Sequence, residues 1–297
     1  MQTNPMLLVA VPIFIGLIVL EAWWTARAKR QGVSQKGYEL KDTFASLSMG
    51  IGYLVIAGFF KIVLIPMYYF AFELRLFDFE NTVWTWIGIV LAQDFAFYWY
   101  HRYHHEIRIF WAAHVNHHSS EHYNLSTALR QSWTAPFTAW IFYIPLCFLG
   151  VDPVMLMTAE LANLFYQFWI HTEVVDRIGP FEYIFNSASH HRVHHGSNEK
   201  YLDKNYGAIL IIWDRMFGTF QAEEEPVCFG ISKNIKTFNP IKIAFHEWFD
   251  MVRDVAKSES MRDAVGYVFR EPGWTPEPAV TDEGPAQESS SLSARAL

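Results

Sequence analysis

The chain has 297 residues, of which 52% are hydrophobic, 17% aromatic and only 18% charged, against roughly 25% charged in a soluble domain. That balance points to a membrane protein, and a formal charge of −7 without a basic footprint excludes a nucleic-acid partner. Cys147 lies in an apolar run and Cys228 in a loop, so there is neither a disulfide framework nor a cysteine-based metal site.

A hydrocarbon core of about 30 Å needs roughly 20 apolar residues as a helix. The first such run is Met6 to Trp24, followed by Arg27, Lys29 and Arg30, the reverse of a signal-peptide charge order. The second, Thr43 to Phe72, is interrupted by Lys61 and Pro66 and reads as one long or broken span. Val83 to Tyr100, Trp133 to Leu149 and Pro153 to His171 complete a set of about five crossings. The expected fold is therefore all-α, a polytopic membrane helical bundle with a histidine-rich helical cap.

Basic residues set the orientation. Arg27, Lys29, Arg30, Lys36 and Lys41 lie between the first two spans, whereas the loop after span two offers only Arg75. This places the 25–42 loop in the cytoplasm and the N-terminus outside. Alternation then puts 101–132 and everything after His171 on the cytoplasmic face. All 13 histidines fall in those stretches or at His171 itself, so the suspected chemistry gathers on one side. Ile241 to Val255 reads as an amphipathic interfacial helix. From Glu271 the chain is rich in Pro, Glu and Ser and reads as disordered. The domain reading is 1–42 for the first span and basic loop, 43–222 for a catalytic domain, 223–270 for an interfacial helical region, and 271–297 for the tail. There is no internal repeat and no glycine-rich nucleotide motif.

Three histidine clusters carry the chemistry. His101-Arg-Tyr-His104-His105 is an H-x3-H; His114-Val-Asn-His117-His118 is an H-x2-H-H; His190-His191-Arg-Val-His194-His195 contains a second H-x2-H-H. Residues four apart share a helix face, so His101/His105, His114/His118 and His191/His195 each form a clamp, with His117 and His194 adding nitrogens. Asp94, Tyr98, His101 and His105 make one polar stripe in span three; Glu160, Asn163, Gln167 and His171 make another in span five. Polar residues inside a span are costly and mark function. Both stripes run towards the clusters. Nine histidines at ligand spacing exceed the three or four that one zinc needs, so at least two metals are implied. Imidazole suits Zn, Cu, Fe and Ni alike.

The H-x3-H, H-x2-H-H, H-x2-H-H order among membrane spans resembles the fatty acid hydroxylase and sterol desaturase superfamily of membrane di-iron enzymes. The string from His117 to Ser132 is similar to the alkylglycerol monooxygenase branch. So are Tyr166 to Glu173, Ser189 to Gly196, Asp203 to Tyr206 and Ile211 to Gly218. The resemblance covers roughly Thr43 to Ala222. It implies metal ligands at His101, His105, His114, His117, His118, His191, His194 and His195, with His171 matching the end of a further histidine motif. Four residues before His171, where some relatives carry His or Asn, this chain has Gln167, whose amide acts through a bound water or not at all. The resemblance also implies two iron ions, O2 as co-substrate, a lipid substrate and an electron donor from outside the chain. In the alkylglycerol branch that donor is a tetrahydropterin, and the ether lipid ends as a fatty aldehyde and a glycerol.

Asp94, Glu106, Glu173 and Asp203 are candidate catalytic carboxylates that orient histidine N–H groups. Glu106 and Glu121 read equally well as interfacial carboxylates. His104 and His190 sit out of register and read as bystanders or as supports for the ligands, His246 as a surface residue, and His122 is open. A sterol, hopanoid or acyl-chain hydroxylase or desaturase fits the same motifs. A metal transporter would place its ligands near mid-membrane, and a membrane zinc hydrolase would differ in its metal.

Overall fold

The computed structural model describes residues 5–32 and 36–276; the tail from residue 277 lies outside the described residues. Among them the fold is all-α. Helices alternate with short 3-10 turns, and the only extended pairing is two isolated bridges, Phe185 with Leu210 and Gly196 with Phe229. Cys147 and Cys228 are both free.

Helix α1 (Pro5–Arg30) and α2 (Leu40–Glu73) are long and apolar enough to cross a membrane, α1 over Ala10–Arg30. Pro66 does not break α2, whose 34 residues reach roughly 50 Å at ~1.5 Å per residue. That exceeds a hydrocarbon core, and its first turns accordingly belong to the cap. Asp42, Ala45, Ser46 and Met49 are buried there, while Ile51, Leu54, Val55, Phe59, Ile62 and Val63 beyond them are exposed, as suits a lipid-facing surface. The other three apolar runs form α3 (Val83–Glu106), α6 (Pro136–Leu149) and α7 (Pro153–Ile170). Of these, α6 is apolar but only 14 residues long.

Local chemistry explains the ends. Thr82 Oγ1 accepts from Thr85 N to start α3. Asp152 accepts from Val154 and Met155 N to start α7, with Pro153 in the first turn. An N-terminal proline and a capping carboxylate satisfy donors that lack helical partners. Gly150 ends α6 at φ 116, a conformation open to glycine, and a Cβ there would strike the Phe77 carbonyl. Tyr68, Ala71, Ile89, Tyr143, Leu146, Cys147 and Leu156 form the core shared by α2, α3, α6 and α7. Gly52 lets the Trp133 indole lie flush on α2, where its Nε1–H donates to the Met49 carbonyl at 3.0 Å. Phe14 of α1 stacks on Phe168 of α7 at 3.9 Å between ring centres.

The cap consists of α4 (Arg108–Trp111), α5 (Val115–His118), α8 (Ala188–His194), α9 (Ile212–Phe217), α10 (Pro240–Ala256) and α11 (Met261–Phe269) with their loops. The amphipathic helix of the sequence reading is α10. Its Ile243 and Ala244 pack on Ala45 and Met49 of α2, and its Glu247 and Asp254 take Arg108 at 2.8 and 2.6 Å. The last described turn holds Trp274 against Gly266 and Tyr267 of α11.

Candidate metal centre

Nine histidines converge at the cap end of the bundle in two groups. His101, His105, His114, His118 and His194 bring ligand nitrogens within 4.8 Å of one another, and so do His117, His171, His191 and His195. The clamps of the sequence reading each stay within one group, since residues four apart share a face. Adjacent residues split: His117 leaves His114 and His118 for the other group, and His194 leaves His191 and His195. A helix turns by about 100° per residue, so neighbours on a short helix serve different centres.

Backbone carbonyls fix the ring tautomers. His101 Nδ1 lies 2.8 Å from the Tyr206 carbonyl, His171 Nδ1 2.6 Å from that of Gln167, His194 Nδ1 3.0 Å from Lys204 and His117 Nδ1 3.3 Å from Arg130. A carbonyl only accepts, so each Nδ1 carries the proton and each Nε2 a lone pair. Nevertheless His171 Nε2 stands 3.1 Å from His117 Nε2 and 2.9 Å from His191 Nε2. In the other group His114 Nε2 stands 3.0 Å from His101 Nε2 and 3.1 Å from His118 Nε2. The facing lone pairs of His117 and His171 repel unless a cation lies between them. Two nitrogens about 2.1 Å from one metal and at right angles stand about 3.0 Å apart, which matches these spacings. The Nε2 atoms of His105, His194 and His195 are buried without a hydrogen-bond partner. Burial, reinforced by neighbouring imidazoles, holds His114, His118, His191 and His195 well below the usual histidine range, the neutral state that a ligand requires. The residues fit two metal ions.

The flanking histidines lie outside both groups. His104 spends Nδ1 on the Tyr100 carbonyl at 2.6 Å and Nε2 on Thr138 Oγ1 at 2.8 Å, which makes it a structural link from α3 to α6. His190 sits edge-on to Phe220.

The four carboxylates of the sequence reading occupy different settings. Asp94 is fully buried and accepts from Asn163 Nδ2, Ile209 N, Leu210 N and Trp213 Nε1 at 2.9–3.1 Å. Asp203, at φ 58, sets its carboxylate 3.6 Å from His105 Nδ1. Glu106 pairs with Arg102 at 2.8 Å. Glu173 is half-buried just beyond His171; burial lifts its carboxyl to about 7 against the pull of Arg192. The Gln167 amide donates to Asn163 Oδ1 at 2.6 Å, continuing the polar stripe to Asp94, while its carbonyl holds His171.

Several residues that hold the site were not singled out in the sequence. Buried Asp42 accepts from Arg130 and Ser120. Arg192 grips Glu223 with two bonds and the carbonyls of Thr172 and Val175. Glu21 of α1 accepts from Tyr38, Thr172 and Leu125 N, tying the first helix to the residue after His171. A lone carboxylate in an apolar span is costly and marks itself; that signal was present for Glu21. Asp214 lies inside one of the strings that carry the family resemblance, yet pattern alone does not say what it holds.

A cavity of about 1230 Å³ opens onto this centre. Buried His105, His118, His194 and His195 line it together with exposed Lys233, Lys236, Lys242 and Arg253.

Nine imidazoles in two groups, at one end of a helical bundle with two helices long and apolar enough to cross a membrane, form a site that could hold metal. Residues 86–219 match the fatty acid hydroxylase family. It is 44% identical to the alkylglycerol monooxygenase of Homo sapiens over 271 residues, 90% of this chain and 59% of that protein. With the enzyme of the same name from Danio rerio it shares 42% over 272 residues, 90% and 59% of the two chains; with that from Xenopus tropicalis, 41% over 245 residues, 81% and 55%. The chain thus spans less than two thirds of the length of these curated relatives. No solved structure gives a significant match.

Proposed function

We propose that this chain is an O2-dependent lipid monooxygenase that cleaves the ether bond of a long-chain 1-O-alkylglycerol, with one iron in each histidine group. The observation that carries the metal reading is the facing of His117 and His171 lone pairs across 3.1 Å. The name shared by the most similar relatives supports the substrate. When bound, the two irons supply O2 activation. One oxygen atom enters the C–H bond beside the ether oxygen and the other leaves as water, with two electrons and two protons taken from an external donor. The hydroxylated carbon is a hemiacetal, which collapses to a fatty aldehyde and a glycerol.

The protein's share is placement. Apolar helices offer the alkyl chain a route from the bilayer, and the cavity lined by His105 and His118 offers a small reductant, a tetrahydropterin in this reading, a route from water. Burial of the histidines keeps bulk water from the reacting carbon. Asp94, Asp203 and Glu173 act as orienting groups around the ligands, and Gln167 through its contact with Asn163. About five crossings, a cytoplasmic metal face, a catalytic region over 43–222 and an interfacial region over 223–270 complete the reading. Iron-loaded membranes given the alkylglycerol, O2 and reduced tetrahydropterin should release fatty aldehyde. Intact ether together with hydroxylation of a sterol or acyl lipid would overturn the substrate assignment.

A further inference from the structure

Two buried carboxylates grip one short stretch of backbone between them. Asp214 Oδ1 accepts from Tyr206 N at 2.7 Å and from Thr219 Oγ1 at 2.7 Å, and its Oδ2 accepts from Gly207 N at 2.8 Å. Asp94 takes Ile209 N, Leu210 N and the Trp213 indole just beyond. What this stretch presents in return is carbonyl oxygen. Tyr206 O receives His101 Nδ1 at 2.8 Å, and Lys204 O, two residues before, receives His194 Nδ1 at 3.0 Å. Both rings belong to the five-histidine group. The four-histidine group draws its ring partners from elsewhere: His171 from the Gln167 carbonyl, and His117 from that of Arg130, which Asp42 anchors.

We infer that Asp214 is a positioning residue for the five-histidine group alone, acting through the Tyr206 turn to aim His101 and to support His194. The carboxylate is suited to this work because all its partners here are donors; the turn needs three acceptor positions on one side chain. Asparagine keeps the shape but replaces one oxygen with an NH2 facing an N–H, so one of the two backbone bonds is lost. The Tyr206 carbonyl then drifts and the His101 ring with it. Groups that orient metal-bound histidines typically contribute about 10–100-fold to metal affinity.

The inference rests on the metal reading but not on the lipid chemistry, so it is tested by binding. Anaerobic Fe(II) titration of the detergent-purified full chain should show two sites. In a His117→Ala background, where the five-histidine group is the intact one, Asp214→Asn should weaken the remaining site by about 10–100-fold. In a His194→Ala background the remaining site is the four-histidine group, and Asp214→Asn should leave it unchanged. Equal weakening in both backgrounds, or none in the first, would overturn the inference. If the wild-type chain binds no iron, the metal reading itself fails. Should Asp214→Asn not fold, Thr219→Val removes one of the bonds to the same carboxylate and should weaken the same site by a smaller factor; no change there would also count against it.

Discussion

Arg130 and Asp42 meet 3.1 Å apart in the interior of the protein, 1% and 5% exposed, where the start of α2 passes the second histidine cluster. The guanidinium also donates to the Asn116 carbonyl at 3.0 Å and Ser119 Oγ at 3.1 Å, and the Arg130 carbonyl receives His117. One residue, through its side chain and its backbone carbonyl, thereby links the start of α2, the second histidine cluster and the His117 ring. Asp42→Ala leaves the guanidinium buried and unpaired, a change that costs about 3–5 kcal/mol. Thermal unfolding of the detergent-solubilised variant should begin well below that of the wild type. An unchanged melting curve would mean that the pair is more hydrated than its burial indicates.

A histidine inside the two groups and one that only flanks them should behave differently. His194→Ala removes one nitrogen from the five-histidine group and should reduce iron to about one per chain, with activity lost. His104→Leu removes only the link between the Tyr100 carbonyl and Thr138 and should retain both irons with a lowered melting temperature. Iron per chain, measured beside the melting curve, separates the two, and similar iron loss in both would contradict the division drawn here.

Gln167 should act by way of Asn163. Gln167→Ala removes a 2.6 Å bond to Asn163 Oδ1 but leaves the backbone carbonyl that holds His171. Iron content should stay near wild type, with turnover falling by no more than about tenfold, the lower end of an orienting contact. A loss of one iron would instead place the amide on the metal.

Acid should destabilise the metal-free protein, and the sign follows from the histidines. His114, His118, His191 and His195 are held below their ordinary value of 6.5 by burial and by neighbouring imidazoles. Above that value they are neutral in both folded and unfolded chains and contribute no pH dependence. Below it the unfolded chain takes up protons that the fold refuses, so stability falls as pH falls. The melting temperature of metal-free protein should be flat near pH 8 and should drop between about pH 6.5 and pH 5. A flat profile through that interval would show that the rings are hydrated.

The histidine set was readable because a ligand pair four residues apart is a property of one helix, and His101/His105, His114/His118 and His191/His195 needed nothing else. Their division into two groups was not readable. It depends on how α3, α5, α7 and α8 converge, so that His117 turns towards His171 while His114 turns towards His101. The polar stripe of Asp94 was visible by spacing, but its bonds to Ile209, Leu210 and Trp213 join residues over a hundred positions apart, which no local pattern records. The continuity of α2 through Pro66 was left open by the sequence because a proline kinks or ends an isolated helix; packing on α6, where Phe60 meets Phe137 edge to face at 4.9 Å between ring centres, helps to fix its course.

The most direct test of the whole account is the iron content of the purified chain after anaerobic loading with Fe(II) and removal of loosely held metal. Two histidine groups with inward lone pairs require two irons per chain in the wild type, falling to about one in either His117→Ala or His194→Ala. A wild-type chain that retains one iron or none, or single variants that each retain two, would contradict it.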